Sequence, residues 1–124
     1  METTSQYRAR VLLYGFGEEG TTARNYLSSE RSLDTYSTDA YPDALDWCES
    51  RAPDVLIIPS VTSGAGTERV INLLRFHFPR CMVILVCCSG LEEGYFRKQI
   101  KTPLAFLRQP LENQLILELL DSIS

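Results

Sequence analysis

Pro53-Asp54-Val55-Leu56-Ile57-Ile58-Pro59 is the stretch on which the reading of this chain turns. Its apolar, largely β-branched run is too short for a helix and lacks the polar–apolar alternation of a half-exposed strand. It predicts a central strand over Val55 to Ile58, covered on both faces, as in parallel sheets whose crossovers carry helices. The run stops at Pro59, a side chain with no carboxylate and no metal-binding atom.

Upstream, Ala44, Leu45, Trp47, Cys48 and Ala52 form one apolar helical stripe, with Asp43 placed to cap it. Leu33 to Thr38 alternates, which predicts a less buried edge strand. Arg10-Val11-Leu12-Leu13-Tyr14 predicts a buried strand, followed by a turn over Gly15 to Gly20 and a helix through about Ser29. Downstream of Pro59, Ser60 to Gly66 is a Ser, Thr and Gly loop. Val70, Ile71, Leu73 and Leu74 mark a helix that stops before Pro79. Met82 to Cys88 is a fourth strand, and Ser89-Gly90 turns into a short helix with Tyr95, Phe96 and Ile100. Leu104 to Leu107 is a fifth strand, and Glu112 to Ile123 the last helix. Five βα units wound with right-handed crossovers predict an α/β three-layer sandwich, its five-stranded parallel sheet ordered 2-1-3-4-5. Residues 1–9 are polar and read as a loose lead-in, with residues 10–124 forming one domain.

The chain has 124 residues, 44% of them hydrophobic and 23% charged, with a net charge of −4. That length sustains one ordinary core without staples. The acidic balance argues against direct nucleic-acid binding. No apolar stretch reaches the length of a membrane span, and the N-terminus has neither a basic start nor an apolar signal core. Cys48, Cys81, Cys87 and Cys88 make no Cys-x-x-Cys pair and His77 is the sole histidine, so no metal site is expected. The cysteines read as small buried hydrophobes in a reducing cytoplasm.

Taken together, three stretches resemble response-regulator receiver domains, from about Arg10 to the end. These are Asp43-Ala44-Leu45-Asp46-Trp47 followed by Pro53 to Ile58; Cys81-Met82-Val83-Ile84-Leu85-Val86-Cys87; and Phe106-Leu107-Arg108-Gln109-Pro110-Leu111. The resemblance implies a flavodoxin-like fold and a peptide bond before Pro110 in the cis form. It also implies where phosphorylation machinery would stand. The acids that hold magnesium in such domains fall on Gly15 and Phe16, the acceptor aspartate on Pro59, the hydroxyl residue on Cys87 and the lysine on Gln109. None of these supplies the charge that phosphoryl transfer requires. The chain therefore resembles a degenerate, or pseudo-, receiver. The expectation is a non-enzymatic, phosphorylation-independent signalling module without cofactor, acting by protein–protein contact. It would suit the N-terminal part of a transcriptional or motility regulator, with a protein partner or fused effector.

Receivers commonly dimerise and signal through the face that falls here on Glu92 to Lys101, Leu104 to Leu107 and Glu112 to Ile123. Candidate contact residues are Tyr95, Gln99, Phe106, Arg108 and Leu117. Leu115, Ile116, Leu119, Leu120 and Ile123 share a stripe; Leu117 lies off it, either as a singly exposed leucine or as part of a contact patch. Phe106 falls on the aromatic that changes rotamer in active receivers, and here one fixed rotamer is expected.

A rival feature is Gly15-Phe16-Gly17-Glu18-Glu19-Gly20, a G-x-G-x-x-G turn between a strand and a helix. Asp39 lies about 20 residues further on, where a ribose-binding acid stands in dinucleotide folds. Gly15, Gly17, Gly20 and Asp39 are thus the alternative cofactor-binding set. Glu18 and Glu19 would repel phosphate, and a second domain to hold a substrate is not expected within these residues.

Overall fold

The computed structural model describes residues 9–31, 33–60, 71–72, 76–99, 104–109 and 111–123. Strands β1 (Arg10–Tyr14), β2 (Asp34–Thr38), β3 (Val55–Pro59), β4 (Met82–Cys87) and β5 (Leu104–Arg108) form one sheet in the order β2-β1-β3-β4-β5. All four pairings are parallel, with registers that include Leu12↔Tyr36, Leu12↔Leu56, Ile57↔Ile84 and Leu85↔Phe106. The helices described in full are α1 (Glu18–Arg31), α2 (Tyr41–Arg51), α3 (Gly90–Gln99) and α4 (Asn113–Ile123). Ile71, Asn72, Phe76 and His77 are also helical, while Val70, Leu73 and Leu74 of the helix expected there lie outside the described residues. So do the lead-in 1–8 and Pro110.

Strand pleating divides the core in two. Leu12, Leu56, Ile58, Val83 and Leu85 pack with Ala44, Trp47 and Cys48 of α2 and Phe96 of α3. Val11, Leu13, Ile57, Ile84 and Val86 pack with Ala23 and Leu27 of α1 and Ile116, Leu117 and Leu120 of α4. Every residue of β3 is buried, as its unbroken apolar run predicts. β2, with its polar sequence, takes the edge. There Arg24 Nε of α1 donates to Thr35 O at 3.2 Å.

Four expectations need correction. Asp43 is not the cap of α2: the N-cap is Ala40, without a side-chain cap bond, and Pro42 sits in the opening turn. Proline's fixed φ suits that turn and starts the helix early, which leaves Asp43 inside the first turn, where it complements the helix dipole. At its other end the helix closes on Ala52 in the left-handed region (φ 51°), whose N–H donates to Cys48 O at 2.7 Å.

Leu117 is neither exposed nor on a contact patch. It is 4% exposed and packs in the core beside Ile116 and Leu120, while Leu115 is 39% exposed. The apolar residues of this helix cover about 200° of its circumference at 100° per residue, so periodicity alone leaves the centre of the buried arc open. Contact with both the sheet and α1 puts that centre between Ile116 and Leu117.

Cys88 is exposed, because β4 ends at Cys87, and only Cys48, Cys81 and Cys87 are buried. Element boundaries also shift: Leu33 and Cys88 fall outside their strands, while Pro59 and Arg108 are drawn into theirs.

Candidate functional site

Parallel strands present their carboxyl ends at one rim, where ligands of open α/β sheets bind. Gly15, Phe16, Pro59, Cys87 and Gln109 come together at this rim. Pro59 closes β3, buried, with Val86 as its Cα partner. The β1–β3 ladder has already ended at Leu13↔Ile57, a position that tolerates a residue without a ladder donor. Ser60 N then donates to Val86 O at 2.9 Å. Cys87 is fully buried, its side chain within the core, and its carbonyl accepts from Gln109 N at 3.0 Å. The Gln109 side chain is engaged by its neighbour: Cys88 Sγ lies 3.3 Å from its Oε1. Phe16 packs against the core between the sheet, α1 and α4. The rim positions thus carry apolar, thiol and amide groups. Among the described residues there is no group of three His, Cys, Asp or Glu able to hold a metal ion.

The glycine turn is accounted for by backbone geometry. Gly15 and Gly17 have φ of 90° and 60°, which favour glycine. A Cβ on Gly20 would meet Ser37 Oγ at 2.5 Å. Gly15 N donates to Thr38 O at 3.0 Å, and Gly17 N to Asp39 Oδ1 at 3.0 Å. Asp39 is therefore brought to the turn, but its carboxylate takes an amide that a bound phosphate would need. Gly17, Glu18, Thr21, Ser37, Thr38 and Asp39 line an open hollow of about 340 Å³ with acids at its mouth. The Tyr14 phenol is pushed above its ordinary value first by burial, then by the Asp39 carboxylate and Tyr41.

The face of α3 and β5 is built differently. Phe106 is half-buried, with the Arg97 guanidinium 4.5 Å from its ring centroid. Glu93 lies 3.6 Å from Arg97 Nη2 and 3.2 Å from Arg108 Nε, tying the helix to the strand. Tyr95 is 49% exposed and sets its ring edge-on to Phe96, while Leu91 is 88% exposed. Gln99 ends α3, and its side chain is outside the described set. Phe106, Arg108 and Tyr95 thus share this face, whereas Leu117 belongs to the core. Sequence reasoning missed Glu93 and Arg97. Their i, i+4 spacing was a readable signal, but the third member, Arg108, joins only through the register Cys87↔Arg108.

No protein-family model matches this sequence, and no curated protein matches it either. Solved structures do. A CheY-like response regulator receiver domain from Methylobacillus flagellatus superimposes with a TM-score of 0.76 at 16% identity, over 95% of this chain and 100% of that one. A two component transcriptional regulator AraC from Clostridium phytofermentans ISDg gives 0.72 at 16%, covering 92% and 90%. An adenylate cyclase from Rhodopirellula baltica gives 0.71 at 18%, covering 94% and 87%. With the strand order and two-sided core above, these likenesses establish that the chain has the fold of response-regulator receiver domains.

Proposed function

We propose that this chain is a pseudo-receiver: a signalling module that works by protein contact and does not take up phosphate. The observation that carries the reading is the rim. Pro59, Gly15, Phe16, Cys87 and Gln109 stand at the ends of the strands where phosphoryl chemistry would need acids, a hydroxyl and a cation. We further infer a single domain over residues 10–124, a complete three-layer sandwich, no catalytic activity, and a place in the reducing cytoplasm, which suits four free thiols. The contact face is read as α3 and β5, with Tyr95, Gln99, Phe106 and Arg108, serving a fused effector, a protein partner or a second copy. Two of the similar structures, named as a transcriptional regulator and a cyclase, favour a regulatory role. The alternative, nucleotide binding at Gly15 to Gly20, has a hollow in its favour and the carboxylates of Glu18 and Asp39 against it.

The test is incubation of the full chain with acetyl phosphate, and separately with beryllofluoride, in the presence of magnesium. The expected result is an unchanged mass and an unchanged amide NMR spectrum. A covalent adduct on a carboxylate would overturn the reading. Titration with NADH and ATP checks the alternative, which is sustained only by saturable shifts at Gly17 and Asp39.

A further inference from the structure

The helices described in full are not fastened alike. In the core, α2 buries Ala44, Trp47 and Cys48, and α4 buries Ile116, Leu117 and Leu120. Of the described side chains of α3, only Phe96 is buried, while Leu91 and Tyr95 are exposed. A helix of 10 residues draws most of its stability from such packing and is marginal without it. Its sequence adds to the weakness. Gly94 stands in the helix interior, where glycine costs backbone entropy, and a Cβ there would meet nothing within 4 Å, so packing does not demand the glycine. What fastens α3 instead is polar and lies at the surface. Glu93 pairs with Arg97 one turn on and with Arg108 of β5, and Arg97 covers the ring of Phe106. A Cβ on Gly90 would lie 3.1 Å from Arg108 Nη2, so the first glycine of the helix leaves room for that guanidinium. Exposed ion pairs of this kind are weak singly and are screened by salt.

We propose that α3 is a latch: it unfolds locally while the rest of the domain stays folded, and Glu93 is the residue that holds it shut. Opening uncovers Phe96 and Phe106 on the face read above as the contact surface. That face then alternates between a closed, charged form and an open, aromatic one, and the open form offers apolar surface for a protein partner to cover. The inference rests on the contact reading for its role, but its test needs no partner.

Amide hydrogen exchange of the full chain, read residue by residue by NMR, tests the latch. Protection at residues 94–98 should be roughly 100-fold below that in the middle of α2 and α4. It should respond little to low urea, because a local opening exposes little surface. Glu93→Gln removes the charge at nearly constant helix propensity and should speed exchange in α3 about fivefold, the upper range for exposed ion pairs. Gly94→Ala should slow it about fivefold. Added sodium chloride should speed exchange in α3 of the wild type and change the Glu93→Gln variant far less. In both variants α2 and α4 should keep their protection. Equal protection in α2, α3 and α4 overturns the proposal, as does a change in all three helices together or no response to either variant. Such a failure leaves the rim reading standing, provided that acetyl phosphate leaves the mass unchanged. An adduct would remove the rim reading, while the exchange pattern would still decide the latch.

Discussion

The middle of the sheet and its carboxyl rim obey different rules. Leu12, Leu56, Ile57, Ile84 and Leu85 are completely buried, each pressed between strands and helices. A few residues further along the same strands, Gly15, Pro59 and Gln109 meet no such packing demand as a group, and two of them are only partly enclosed or exposed. Stability constrains the first set, because a cavity in a dense interior is costly. In the second set packing weighs less: Gln109 is exposed, and Gly15 is held by its backbone conformation rather than by a side chain. A scaffold can therefore keep its shape after the groups at its rim have been exchanged, and fold similarity carries no information about phosphate uptake.

The sharpest way to break this contrast is to truncate one residue from each set. Ile57→Ala should cost about 2–5 kcal/mol in urea or thermal unfolding, the range for a deleted core side chain. Gln109→Ala should cost less than about 0.5 kcal/mol, as for an exposed residue whose bonds are weak. Similar losses at both positions would mean that the rim is a structural element. A smaller version of the comparison lies within α4. Leu117→Ala should destabilise by about 2–3 kcal/mol and Leu115→Ala by less than about 0.5 kcal/mol. The reverse order would restore the stripe that periodicity alone suggests.

At neutral pH the thiols contribute nothing to the contrast, and their effect appears only in alkali. Burial, then Glu49, pushes Cys48 up to about 12, and burial, then Cys48 and Asp54, does the same for Cys81. The unfolded chain ionises these thiols near 9, so above that pH it releases protons that the folded chain retains. Stability is then unaffected below about pH 9 and falls as pH rises towards about 12. At pH 8, iodoacetamide should modify Cys88 in the native protein, and all four cysteines only after denaturation. Rapid native labelling of Cys48 or Cys81 would contradict their burial.

Much of the architecture was legible because each strand announces itself. β3 and β4 are apolar runs too short for helices, β2 alternates, and the turns between them carry Gly, Pro or Ser. From there, right-handed crossovers leave few strand orders to consider. What stayed hidden depends on neighbours. The centre of the buried arc of α4 is set by α1, and the start of α2 by Pro42 rather than by the more conspicuous Asp43. At the rim the residue types could be read directly, because a proline at position 59 or a glutamine at position 109 is a property of one position. The Glu93–Arg97–Arg108 network could not, because it joins a helix to a strand distant in sequence.

Arg24 carries one last implication. Asp34 N bonds to Ala9 O and Thr38 O to Gly15 N, so alternate residues of β2 face β1 and the carbonyl of Thr35 faces away from the sheet. Such an acceptor invites an incoming chain to extend the ladder, the first step towards fibrils. With the guanidinium of Arg24 already bonded there, a stranger's backbone must displace a cation before it can attach. A single long side chain thereby occupies one of the acceptors that this edge would offer to another strand.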